Sequence, residues 1–132
     1  MRCIAVVDDN FDNRALLQRM LQRLYRVSVY ESGLQALAGL PESPPDLVLL
    51  DLSMPDMDGT EVLRRIRADE RWKSLPVIAL TAHAMKGDRE RCLTAGFNDY
   101  VSKPVVDRKI LYEAIERHLP PAPAPAAPPS PA

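Results

Sequence analysis

Leu47-Val48-Leu49-Leu50 is an unbroken apolar run that stops at a carboxylate, Asp51. A strand with one wet face alternates apolar and polar side chains. A strand apolar at every position is covered on both faces, as in a parallel sheet lying between layers of helices. Two more runs have the same form: Cys3-Ile4-Ala5-Val6-Val7, followed by Asp8, and Val77-Ile78-Ala79-Leu80, followed by Thr81. Val27-Ser28-Val29-Tyr30 and Asp99-Tyr100-Val101 are shorter and more polar strand candidates.

Helical patterns fill the gaps between these runs. Leu17, Met20, Leu21 and Leu24 recur at helical spacing after a polar start at Asp12-Asn13. Leu34, Leu37 and Ala38 follow Ser32, a residue type suited to capping a helix start. Val62, Leu63 and Ile66 follow Gly59; residues 89–95 follow Asp88; Ile110, Leu111, Ala114 and Ile115 follow Asp107. Five strands alternating with five helices, joined by right-handed crossovers, give an α/β fold: a doubly wound five-stranded parallel sheet flanked by five helices.

The rest of the composition agrees. The chain has 132 residues, enough to bury a core without disulfide or metal staples. Seventeen Lys and Arg against 18 Asp and Glu leave a net charge of −1, which supplies no basic field for nucleic acid or an anionic membrane. Cys3 and Cys92 form no spaced framework and suit a reducing, cytoplasmic location. No apolar run approaches the roughly 20 residues of a membrane span, and Met1-Arg2-Cys3-Ile4 does not read as a signal peptide. Residues 120–132, PPAPAPAAPPSPA, hold seven Pro, five Ala and one Ser. With so little surface to bury they are expected to be a disordered, PPII-like tail beyond a folded domain over residues 1–119. The tail reads first as a disordered end without function, ahead of a shortened linker, a recognition segment or a solubilising end.

The architecture locates the chemistry. In open parallel sheets, ligands sit beyond the carboxyl ends of the strands, near the reversal in strand order. The polar residues at those ends are Asp8, Asp9 and Asn10 after the first strand, Asp51 after the third, Thr81 after the fourth and Lys103 after the fifth. Each has an ordinary explanation taken alone, as a cap, a turn residue or a solvated lysine. No structural need places all of them on one edge. Two carboxylates about 4 Å apart repel by roughly 4 kcal/mol at an effective dielectric near 20, so three together invite a cation or a proton. Hard oxygen ligands without a suitably spaced His or Cys favour Mg²⁺ over zinc. The acidic loop Asp8-Asp9-Asn10-Phe11-Asp12 is the opposite of a glycine-rich phosphate cradle. A divalent ion and Lys103 would instead offset the acids and admit a phosphoryl group.

Four stretches, VVDDN (6–10), LVLLDLSMPDMDG (47–59), PVIALTAHA (76–84) and DYVSKP (99–104), occur in one order. In that order the chain resembles the receiver domains of two-component response regulators, over residues 1 to about 119. The stretch from Thr81 to Pro104 is most similar to single-domain regulators and to receivers of hybrid histidine kinases in phosphorelays.

The resemblance implies roles residue by residue. Asp51 would be the phosphoacceptor, taking a phosphoryl group from a histidine kinase or a histidine phosphotransfer protein. Asp8, Asp9, Asp51 and the backbone carbonyl of Ser53 would hold Mg²⁺. Lys103 would hold a phosphoryl oxygen, and Thr81 would donate to another once Asp51 is modified. Tyr100 would be the switch aromatic, Ala82 would leave room for the acyl phosphate, and Pro104 would follow a cis bond that aims Lys103 inward. Ser53 and His83 would tune the lifetime of the phosphate, while Asp56, Asp58 and Gly59 belong to the turn. The output would be a protein-binding face on the fourth helix, fifth strand and fifth helix. His118 needs no role beyond favouring the end of the last helix.

Three functions fit this reading: a stand-alone phosphoacceptor acting through proteins, a receiver module of a larger hybrid kinase, and an aspartyl-phosphate phosphatase. The first strand begins close to Met1, which suits the first without excluding the second. The third would need a second acid two residues after the nucleophile, where this chain has Ser53. The expected protein is therefore not an enzyme acting on outside substrates. No helix-turn-helix or cyclase-like segment is read after the domain, so direct transcriptional control is not expected. The charge balance and the lack of a long apolar run argue in the same way against nucleic-acid and membrane partners.

Overall fold

The computed structural model describes residues 2–52, 54, 57–81, 88–103 and 108–119. The expected tail, residues 120–132, lies outside the described residues. Five strands, β1 (Cys3–Val7), β2 (Arg26–Tyr30), β3 (Leu47–Asp51), β4 (Val77–Thr81) and β5 (Asp99–Ser102), alternate with helices α1 (Phe11–Leu21), α2 (Gly33–Gly39), α3 (Gly59–Ala68), α4 (Asp88–Ala95) and α5 (Arg108–His118). The sheet is parallel throughout, in the order β2-β1-β3-β4-β5.

Because successive strand side chains face opposite ways, the continuous apolar runs serve two cores. Ile4, Val6, Leu47, Leu49, Ile78, Leu80 and Val101 meet Leu17, Leu21, Leu111 and Ile115 of α1 and α5. Ala5, Val7, Val48, Leu50, Val77 and Ala79 meet Ala36, Leu40, Val62, Leu63 and Ile66 on the other side. All five residues of β1, β3 and β4 are buried. Truncating one of the large ones to Ala would cost about 2–5 kcal/mol.

Several helix details differ from the sequence expectation. Helix α1 starts at Phe11, before Asp12-Asn13, because Asn10 is the cap and its side chain accepts from Asn13 N–H. Leu24 lies beyond the helix and is 52% exposed, and Tyr25 fills the buried place instead. In α2 the Ser32 cap is found, but Leu34 is 57% exposed and Ala38 is exposed too. The inner face is Gly33, Ala36 and Leu40. A methyl at Gly33 would stand 2.5 Å from Val62 Cγ2, so α2 approaches α3 through its smallest residues and turns Leu34 outward. Ile110 is exposed, leaving Leu111, Ala114 and Ile115 as the buried stripe of α5. A single 3-10 turn at Glu70–Trp72 had no periodic signature in the sequence.

His118 has more to do than favour a helix end. Its Nε2 lies 3.1 Å from Asp99 Oδ2, the oxygen to which Arg117 donates at 2.7 Å. Asp99 Oδ1 accepts from the Tyr100 N–H, so one buried carboxylate ties the end of α5 to the start of β5. On the opposite face Arg67 donates to the carbonyls of Trp72, Leu75 and Gly96 and to Asn98 Oδ1. These contacts pin α3, the entry to β4 and the loop before β5 at the foot of the sheet, away from the site.

Candidate phosphoryl and metal site

Strand register brings the site together. Val7 pairs with Leu50, Asp51 with Leu80 and Thr81 with Ser102. Asp8 and Lys103 each follow by one step, so Asp8, Asp51, Thr81 and Lys103 stand along one edge at the carboxyl ends of four strands. Asp51 and Thr81 are the last residues of their strands rather than the first residues after them. Strand order reverses at β1, whose neighbours are β2 and β3, and Asp8 and Asp51 flank that crevice.

Asp8, Asp51 and Thr81 are buried, and Asp9 is exposed. One carboxylate oxygen from each of Asp8, Asp9 and Asp51 falls within a 4.8 Å cluster. Lys103 Nζ donates to Asp8 Oδ2 at 3.3 Å and lies 3.2 Å from Asp51 Oδ1, bridging the two buried acids. The Lys103 N–H donates to Thr81 O at 2.8 Å, which fixes the root of that side chain to the end of β4.

Asp8 is held from several directions. Its Oδ1 accepts from the Asn10 N–H at 2.9 Å, and its carbonyl accepts from Arg14 Nη1 at 2.8 Å. Burial pushes its carboxyl above the usual value, the negative charge of Asp51 pushes it further, and the Asn10 N–H and Lys103 pull it back only in part. Burial and the negative charge of Asp51 thus work against a charged Asp8, and a cation beside it would relieve both. Three oxygen donors without nitrogen or sulfur fit a small hard divalent cation, and such an ion keeps open positions for waters or phosphoryl oxygens. The residues present therefore fit Mg²⁺.

The structure thus unites Asp8, Asp9, Asp51, Thr81 and Lys103, as expected from the sequence. Tyr100 on β5 is half-buried and packs against the α2/α3 core. Ser53, Asp56, Ala82, His83, Pro104 and Asp107 lie outside the described residues. Sequence reasoning missed Arg14, whose side chain, in the first turn of α1, folds back to the Asp8 carbonyl at the end of β1. It also treated Gly59 as a turn residue only. A methyl there would stand 2.6 Å from the Asp51 carbonyl oxygen and 2.9 Å from Leu52 Cα, so only glycine lets α3 start against the strand that carries Asp51.

Comparison with known proteins gives one answer. The family model described as a response regulator receiver domain matches residues 4–116. The chain is 38% identical over 118 residues to the signal transduction histidine-protein kinase BarA of Escherichia coli, covering 89% of this chain but only 13% of that kinase. It is 37% identical over 119 residues to the polar-differentiation response regulator DivK of Brucella abortus, covering 89% of this chain and 96% of DivK. Among solved structures, the receiver domain of sensor histidine kinase PA1611 from Pseudomonas aeruginosa superposes with a TM-score of 0.79 at 41% identity. That match covers 89% of this chain and 96% of that domain, which is described with a magnesium ion coordinated in its active site cleft. The chemotaxis protein CheY4 of Vibrio cholerae gives a TM-score of 0.83 at 26% identity, covering 90% of this chain and 99% of that one. With its fold, its acidic edge and its sequence in accord, the chain belongs to the response regulator receiver domain family of two-component signalling.

Proposed function

We propose that this domain accepts a phosphoryl group on Asp51 and converts it into a change of protein-binding surface. The observation that carries the reading is the placement of Lys103 between Asp8 and Asp51, with Asp9 at the mouth of the same cluster. An Asp51 carboxylate oxygen attacks phosphorus, the P–N bond of a donor phosphohistidine breaks, and its electron pair goes to the imidazole nitrogen. The product is an acyl phosphate. Such transfers need positioning and charge neutralisation more than covalent assistance.

Asp8, Asp9 and Asp51, with the Ser53 carbonyl, would hold Mg²⁺, which supplies neutralisation of phosphoryl charge. Lys103 carries one phosphoryl oxygen as a point charge, and Thr81 donates its hydroxyl to another after transfer. Tyr100 follows Thr81 inward, and the α4/β5/α5 face is the surface that changes.

The donor is a histidine kinase or a histidine phosphotransfer protein, and the output is an effector protein. The match to DivK along its length supports a single-domain regulator, and the match to BarA supports a receiver within a hybrid kinase. Both readings share the same chemistry, in the cytoplasm and without turnover of outside substrates. Among the described residues no helix is long and apolar enough to cross a membrane.

Intact mass after incubation with a small-molecule phosphodonor, with and without Mg²⁺, tests this reading. A gain of one phosphoryl group that requires Mg²⁺ and disappears in Asp51→Asn is expected. An equal gain in Asp51→Asn would overturn the assignment of the acceptor.

A further inference from the structure

The Asp8 main chain is held at both ends: its N–H donates to Tyr30 O at 3.1 Å, and its carbonyl accepts from Arg14 Nη1 at 2.8 Å. That carbonyl belongs to the peptide plane between Asp8 and Asp9, so whatever fixes it also fixes where Asp9 leaves the chain. Arg14 is itself well held. Its guanidinium sits 5.8 Å from the Phe11 ring centroid, its side chain is largely buried, and its Nη2 lies 3.7 Å from Glu31 Oε2. Its backbone N–H donates to Asn10 O in the first turn of α1. Arg14 thereby joins the Asn10 cap in tying helix α1 to the acidic loop.

We propose that Arg14 is a positioning residue of the cation site, orienting the Asp8–Asp9 peptide so that both carboxylates face the cluster with Asp51. This rests on the reading of that cluster as a Mg²⁺ site. The role has an unusual sign. A guanidinium beside a dication site repels the ion, so if Arg14 acted only through its charge, its removal would tighten Mg²⁺ binding. If Arg14 acts by orienting the ligands, its removal weakens binding despite the lost repulsion. Lysine keeps the charge but lacks the planar fork that reaches the carbonyl while lying over Phe11.

The test is calorimetric titration of the full chain with Mg²⁺ alone, in the wild type, Arg14→Met, Arg14→Lys and the remote core variant Ile115→Val. Arg14→Met is expected to raise the Mg²⁺ dissociation constant by about tenfold, in the range found when outer-shell partners of metal ligands are removed. Arg14→Lys should weaken binding in the same direction and carries the test should Arg14→Met fail to fold. Ile115→Val should leave affinity unchanged. Unchanged or tighter binding in both Arg14 variants would overturn the proposal, and so would equal weakening by Ile115→Val, which would show general loosening. No Mg²⁺ binding by the folded wild type would overturn the cation reading itself, an outcome visible before any variant is made.

Discussion

A methyl group on Gly59 would stand 2.6 Å from the backbone oxygen of Asp51. The helix that follows the acceptor loop therefore begins in direct contact with the strand that presents the acceptor. Asp58 caps that helix through the Glu61 N–H, and the Gly59 N–H donates to Leu52 O. Asp51 is thus positioned from its main chain by α3 as well as by the sheet.

Gly59→Ala should accordingly destabilise the fold by about 1–3 kcal/mol, the usual cost of overpacking. It should also slow phosphoryl acceptance, because the displaced atom belongs to Asp51. Thermal melts and the rate of phosphorylation from a small-molecule donor check both parts. A slower rate with an unchanged melting temperature would show that the clash is relieved within the site alone.

Lys103→Ala removes the ammonium between two buried carboxylates and should lower the stability of the metal-free protein by on the order of 3 kcal/mol at neutral pH. The Asp8 carboxyl already lies above its ordinary value of 3.8. A raised acid costs stability as pH climbs from the unfolded toward the folded value, so the deficit should shrink as pH falls through that window. Added Mg²⁺ should restore part of the loss, in proportion to its binding. Denaturant titrations at two pH values, with and without Mg²⁺, read all of this.

At the foot of the sheet, Asp99→Asn should cost about 2 kcal/mol, since Arg117, His118 and the Tyr100 N–H lose a charged acceptor. Burial works against ionisation of Asp99, but those three partners outweigh it and hold the carboxyl below its ordinary value of 3.8. A depressed acid stabilises above the unfolded value, and that contribution is lost as pH falls through the folded one. The gap between wild type and Asp99→Asn should therefore be full above the ordinary carboxylate range and close as pH falls through the lowered folded-state value. Urea titrations across that range measure it.

Arg67→Met should cost about 2 kcal/mol, because the carbonyls of Trp72, Leu75 and Gly96 lose their donor together. The Mg²⁺ affinity should be unchanged, since those contacts lie at the opposite end of the strands from Asp51. Parallel melts and Mg²⁺ titrations separate the two effects.

The sheet and its edge were legible in the sequence for one physical reason. Residues 3–7, 47–50 and 77–80 are apolar on both faces, which only covered strands require, and each stops at a polar residue. Asp8, Asp51, Thr81 and Lys103 could be named before any coordinates because strand ends place them, and a parallel register aligns strand ends. Helix faces were less legible. Leu34 and Ile110 are apolar yet point to solvent, while Gly33 and Ala36 are buried because close helix packing prefers small side chains over hydrophobic ones. Arg14 and the pairing of His118 with Asp99 had no signal at all. They join residues 6 and 19 positions apart through side chains whose direction depends on where a helix begins or ends.

The central claim is that the phosphoryl group resides on Asp51, and trapping the acyl phosphate tests it most directly. Borohydride reduces an aspartyl phosphate to homoserine, so peptide mass analysis after Mg²⁺, phosphodonor and borohydride identifies the residue modified. The account predicts homoserine at position 51, dependent on donor and Mg²⁺. Reduction at Asp8 or Asp9, or a phosphoryl group found on a histidine with position 51 intact, would contradict it.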